Sequence, residues 1–150
     1  MLVLGRYDGH DRHWISADRA VLVTRNGRLV RTFGIGVDLR ETLGLESDPV
    51  ATGTFTFDGT HQRAVDAGLP LQYGITLEST FEVIGRRNIE ILGARFDTLL
   101  VRERNAARTM RWVFDNEFWF DFQSGFVWKS TQHFAPDVPP VEIEIYKREV

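Results

Sequence analysis

Polar and apolar side chains alternate along much of this chain. In residues 75–84, Ile75, Leu77, Phe81 and Val83 are apolar, whereas Thr76, Glu78, Thr80 and Glu82 are polar. A repeat of two residues sends successive side chains to opposite faces, so this segment reads as a strand with one face in a core and one in water. Val141, Ile143 and Ile145 alternate with Glu142 and Glu144 in the same way, and Phe55 and Phe57 alternate with Thr54 and Thr56. Each of these segments is expected to be a strand.

Turn-forming residues separate the runs. Asn26-Gly27 lies between residues 20–24 and 28–33, and this dipeptide readily takes positive φ at both central positions of a two-residue hairpin. Asp58-Gly59 is expected to join residues 54–57 to 61–65, and residues 85–87 and Ser124-Gly125 to make further reversals. Asn105 to Arg108 is expected to close a hairpin between residues 99–104 and 109–114. Residues 37–45 have room for one or two helical turns capped by Asp38, with Gly44 and Pro49 ending them. The fold class this predicts is mainly β: a single-domain antiparallel meander of about ten short strands, curved into a half-barrel, barrel or sandwich. The 150 residues suit one domain, taken here as 1–150.

Composition narrows the function. A net charge of -3 argues against a general nucleic-acid binder, whose footprint is a basic excess. No apolar run approaches the roughly 20 residues of a membrane-spanning helix. The absence of cysteine excludes disulfides, thiol catalysis and cysteine-ligated metals, and no motif implies a cofactor.

The densest group of metal-ligand types is Asp8, His10, Asp11 and His13. Its spacing matches no zinc pattern and Arg12 adds positive charge, so a solvated loop is expected and no metal is assigned. No Gly-x-Ser-x-Gly elbow occurs. The pairs Glu78/Glu82 and Glu142/Glu144 belong to alternating strands, where a solvated outer face accounts for them better than a glycosidase pair, so no catalytic residue is assigned. Arg102, Arg104, Arg108 and Arg111 flank the expected hairpin tip, with Glu103 and solvent to satisfy them.

Residues 112–128 are the aromatic-rich segment. Phe118, Phe120 and Phe122 share one parity and are expected in the core, while Trp119 shares the other with Glu117 and Asp121. Rings stack on the apolar faces of sugars and carboxylates accept hydroxyl hydrogen bonds, so Trp112, Trp119, Asp121 and Trp128 form the candidate face for glycan or a protein partner.

The order of these features resembles the YjbF/GfcB lipoproteins. The first block comprises Trp14-Ile-Ser-Ala-Asp18, Leu22-Val-Thr24 and Asn26-Gly-Arg-Leu-Val-Arg-Thr32. The second comprises Trp112, Asn116-Glu-Phe-Trp-Phe-Asp121, Ser124-Gly125, Val127-Trp-Lys-Ser130, Gln132 and Pro136, and residues 141–147 match the family's C-terminal end. The resemblance implies a bacterial lipoprotein of capsule or exopolysaccharide production, facing the periplasm at the outer membrane, with no established catalytic activity. Export or assembly proteins of the polysaccharide are the expected partners, and the polysaccharide itself a further one. The family's signal peptide and lipobox cysteine have no counterpart here, so the chain is read as N-terminally truncated, its only expected membrane link being a lipid anchor it does not carry. Two other functions stay open: a carrier holding an acyl chain or other apolar ligand in a concave sheet, and a glycan-processing enzyme with carboxylates converging in a cleft.

Overall fold

The computed structural model describes residues 2–146. Four strands form a small antiparallel sheet in sequence order: β1 (Leu2–Asp8), β2 (Asp11–Ser16), β3 (Val21–Arg25) and β4 (Arg28–Phe33). Seven more form a larger one, also in sequence order: β5 (Leu39–Leu43), β6 (Thr60–Ala67), β7 (Gln72–Ile91), β8 (Ala94–Ala107), β9 (Val113–Asp121), β10 (Val127–Gln132) and β11 (Val141–Glu144). The larger sheet curls into a half-barrel. The chain is therefore the mainly β antiparallel meander that the alternation predicts. Among the described residues, no helix is long and apolar enough to cross a membrane.

The inner faces of the two sheets meet in one apolar cluster. Leu22 and Leu29 of the small sheet pack with Leu39, Val65, Ile75, Leu77, Trp112 and Phe114 of the half-barrel side. A short helical segment wedges in beside them, formed by a 3-10 turn (Leu45–Ser47) and α1 (Pro49–Thr52). Val50 packs on Val101, Phe118, Phe120 and Val127, while Leu45 and Ala51 cover Val23 and Val30. The Asn26-Gly27 hairpin forms as expected, with left-handed φ at both residues (49° and 92°). Gly27 is required twice over, because a Cβ there would lie 2.6 Å from Val127 of β10.

Several local expectations are corrected. Residues 39–43 are not helical: they pair with β6 from Leu39↔Ala67 to Leu43↔Ala64, so the sheet ladder satisfies their backbone groups. Asp38 caps no helix and accepts instead from the Thr32 hydroxyl (2.9 Å) and the Gly34 and Ile35 amides (3.2 and 3.3 Å). Residues 54–57 form no strand. Phe55 takes φ 56°, and the rings of Phe55 and Phe57 both reach Phe120, each with centroids 5.5 Å away.

Gly85 makes no reversal either. It sits at φ 146° in a β-bulge that shifts the register from Val83↔Val101 to Gly85↔Leu100, so β7 continues for 20 residues. The chain turns at Leu92-Gly93 instead. The hairpin read at residues 105–108 closes later, at 108–112, because Asn105 is a buried member of β8. Phe122 follows the end of β9 and is 48% exposed, under the Arg86 guanidinium, so it does not join Phe118 and Phe120 in the core. Lys147, the last residue of the family-like C-terminal block, lies outside the described residues.

Candidate functional site

β9 runs between β8 and β10 and alternates as its sequence dictates. Phe114, Asn116, Phe118 and Phe120 are buried, while Asp115, Glu117, Trp119 and Asp121 are half-buried on the outer face. Trp119 stands opposite Leu100 on β8 and Lys129 on β10. The Lys129 ammonium lies 5.0 Å from the Trp119 ring centroid, a cation–π contact, and is 3.5 Å from Glu142 and 3.7 Å from Glu144. Glu117 faces Arg102 across the sheet at 3.9 Å.

Asp121 closes this face at the start of the β9–β10 turn. One of its oxygens accepts the Trp128 indole N–H (3.0 Å), and the other accepts the amides of Gln123 and Ser124 (3.0 and 2.8 Å). Burial pushes this carboxyl up, but the donors outweigh it and the net shift is downward, so it is a carboxylate at neutral pH. Trp128 is buried, stacked on Phe96 with centroids 4.0 Å apart and edge-on to Phe126. The structure thus brings Trp119, Asp121 and Trp128 together at neighbouring positions of β9 and β10. Trp112 stands apart from them, buried in the core against Phe114 at 4.5 Å.

The other candidates also have structural partners. Asp11 receives the Arg25 guanidinium through two bonds, at 2.6 and 3.1 Å. Arg104 and Arg108 pair with Asp115 (3.3 Å) and Glu78 (2.9 Å) rather than with Glu103.

Glu103 instead points inward, where the sequence reading placed no polar group. Its carboxylate accepts two bonds from Arg28 of β4 (2.9 and 2.5 Å), one from Arg63 of β6 (3.3 Å), and one each from the Asn105 and Asn116 amides (3.1 and 2.9 Å). Arg28 also holds Asp48, just before α1, through bonds of 2.6 and 3.0 Å. Arg63 donates to Ser79 and Asn105 at 2.8 and 3.0 Å. Gln132 extends the cluster, accepting the Leu29 amide at 2.9 Å and donating to the Gly27 carbonyl at 2.8 Å.

All these side chains are buried, and among the described residues no buried side-chain polar atom lacks a partner. Burial pushes the Glu103 carboxyl up, but the Arg28 and Arg63 charges outweigh it and hold it well below the usual carboxylate range. Burial and the neighbouring Arg28 lower Arg63, whereas the two carboxylates beside Arg28 overcome its own burial and raise it. Two positive and two negative side chains close the charge balance. The signal lay in strand parity: Glu103 and Asn105 follow Leu99 and Val101 on the inner face of β8, and Asn116 shares the face of Phe114 and Phe118.

The profile of a family described as "Group 4 capsule polysaccharide lipoprotein gfcB, YjbF" matches residues 1–146. The chain belongs to the YjbF family. The lipoprotein GfcB of Escherichia coli K12 is 30% identical over 148 residues, covering 97% of this chain and 69% of that protein. The lipoprotein YjbF of the same organism is 27% identical over 149 residues, covering 97% and 68%. In structure, this YjbF-family chain is similar to the lipoprotein YmcC of E. coli K12, whose crystal structure superposes with a TM-score of 0.91 at 28% identity, covering 99% of this chain and 77% of that one. The family description ties this YjbF-family fold to capsule polysaccharide and names no enzymatic activity.

Proposed function

We propose that this YjbF-family domain is a non-enzymatic accessory of capsule or exopolysaccharide production or export. It works on the periplasmic face of the outer membrane through contacts with glycan or with the export and assembly proteins. The observation that carries the reading is the Trp119 face: a half-exposed indole with the Lys129 ammonium 5.0 Å from its ring, flanked along β9 by the outer-face carboxylates Glu117 and Asp121. An aromatic plane ringed by hydrogen-bonding groups suits the alternating apolar and hydroxylated faces of a sugar chain.

Titrating the domain with its source bacterium's own polysaccharide, followed by tryptophan fluorescence, tests this. Trp119→Ala is expected to weaken the response at least about tenfold while lowering Tm by only a few degrees, since a half-exposed outer-face side chain contributes little to stability. A severe loss of Tm with binding intact in the folded fraction would make Trp119 a packing residue.

A second reading has its own observation. A groove of about 610 Å3 opens between the edge strands β1 and β11, lined by Leu2, Leu4, Trp14, Leu22, Val141 and Ile143. It supports a carrier of an acyl chain, and a fatty-acid titration giving the only fluorescence response would put that function first.

A further inference from the structure

A second concave site adjoins the Trp119 face at Lys129, where the Asn26-Gly27 tip, residues 52–55 and the β9–β10 turn converge on β2. The space between them is about 430 Å3, within the range of small-molecule sites. Trp14, Phe55 and Phe126 contribute aromatic walls, and Thr24, Thr52 and Ser124 supply hydroxyls at its rim.

One charged group in it lies against rings and not against a carboxylate. Arg12 sits two residues before Trp14 on the same face of β2, with its guanidinium carbon 5.5 Å from the Tyr7 ring centroid and 5.6 Å from that of Phe126. Arg25, Arg28, Arg63, Arg86, Arg104 and Arg108 all pair closely with carboxylates. Arg12 pairs with none among the described residues, and no Asp or Glu lines the pocket. A guanidinium fixed between two rings keeps its planar fork of donors ordered and available for an anion.

The wall opposite is held at a conformational cost. Phe55 adopts left-handed φ, uncommon for an aromatic residue, with its ring edge-on to Phe120. That ring occupies the space a side chain at position 125 would need, so Gly125 is what lets the loop and the turn close together. The Asn26 amide, donating to the Ala51 carbonyl at 2.6 Å, ties the hairpin tip to the same loop.

We propose that this pocket binds an acidic sugar of the polymer, with Arg12 taking its carboxylate through the guanidinium fork, the rings of Trp14 and Phe126 facing the pyranose, and Thr24, Thr52 and Ser124 meeting its hydroxyls. That the ligand is a saccharide rests on the capsule reading; that it is anionic rests on Arg12. An acidic polymer would then engage two places, the pocket through its charged residues and the Trp119 face through its neutral ones.

The test uses the isotope-labelled wild-type domain, with tetragalacturonate as the acidic probe and maltotetraose as the neutral one. Tetragalacturonate is expected to shift the amide resonances of Thr24, Thr52 and Ser124 saturably, to bind more weakly as salt rises, and to outbind maltotetraose at least tenfold. Arg12→Gln should weaken it at least about tenfold, as loss of a charge-assisted pair does, and Arg12→Lys should recover only part because the planar fork is gone. Trp119→Ala should leave these shifts in place. Shifts confined to Trp119 and Glu117, equal binding of the neutral probe, or no binding of either would overturn the pocket. Mapping on the wild type keeps the result decisive if a variant fails to fold. A polysaccharide response lost in Trp119→Ala but unchanged in Arg12→Gln would leave the capsule reading standing and remove only the pocket.

Discussion

Glu103 is satisfied by four side chains from three other strands and its own, and that makes its charge indispensable. Glu103→Gln keeps the shape but leaves Arg63 without a carboxylate and Arg28 with only Asp48. Removing one member of a buried ion cluster typically costs about 3–5 kcal/mol, because the remaining charge stays desolvated. The pH dependence has a definite sign. The Glu103 carboxyl is held below its unfolded value of about 4.3, so its contribution is complete above about pH 5 and drains away as pH falls through and below that value. Thermal melts from pH 7 to pH 3 should therefore show a steeper loss of Tm in the wild type than in Glu103→Gln. Parallel slopes would mean that Glu103 is not the group being titrated.

At the scale of elements, the segment carrying α1 joins two roles in one side chain. Asp48 accepts the Val50 amide at 3.0 Å as the helix cap while pairing with Arg28. Asparagine caps almost as well as aspartate, so Asp48→Asn isolates the loss of charge, and Asp48→Ala adds loss of the cap. In urea unfolding, Asp48→Ala is expected to be about 1 kcal/mol less stable than Asp48→Asn, with both well below the wild type. Equal stability of the two variants would show that the cap contributes nothing. The alternation that marks the strands was legible where the chain stays extended, as in β7 and β11. It misled at residues 54–57, where the same spacing of phenylalanines serves a loop whose rings are drawn onto Phe120. Gly85 was misread for the complementary reason, since positive φ serves a bulge as readily as a turn.

At the scale of the whole molecule, the buried charges cross-link parts that a meander would leave separate. Arg28 comes from the small sheet, Glu103 and Arg63 from the half-barrel, and Asp48 from the segment between them. Partial separation of the sheets would expose unpaired charges in a half-dry interior, so opening one without the other is costly. The protein should therefore unfold as one unit. Far-UV circular dichroism, dominated by the large sheet, and the fluorescence of a variant retaining only Trp14, on the small sheet, are expected to give coincident urea transitions. Two separated midpoints would show two independently stable sheets.

The sequence alone determined the class of fold, the Asn26-Gly27 hairpin, the outward parity of Trp119 with Glu117 and Asp121, and the resemblance to the YjbF lipoproteins, which the family profile bears out. These properties are local, set by strand periodicity, by the φ values a turn demands, and by the order of short motifs. Only the tertiary structure decided that Trp112 belongs to the core, that Glu103 faces Arg28 across 75 positions of chain, and that Arg12 lies against Tyr7 and Phe126 with no carboxylate partner among the described residues. Parity says which side of a sheet a charge occupies. What waits on that side depends on which distant strand the closing half-barrel brings against it.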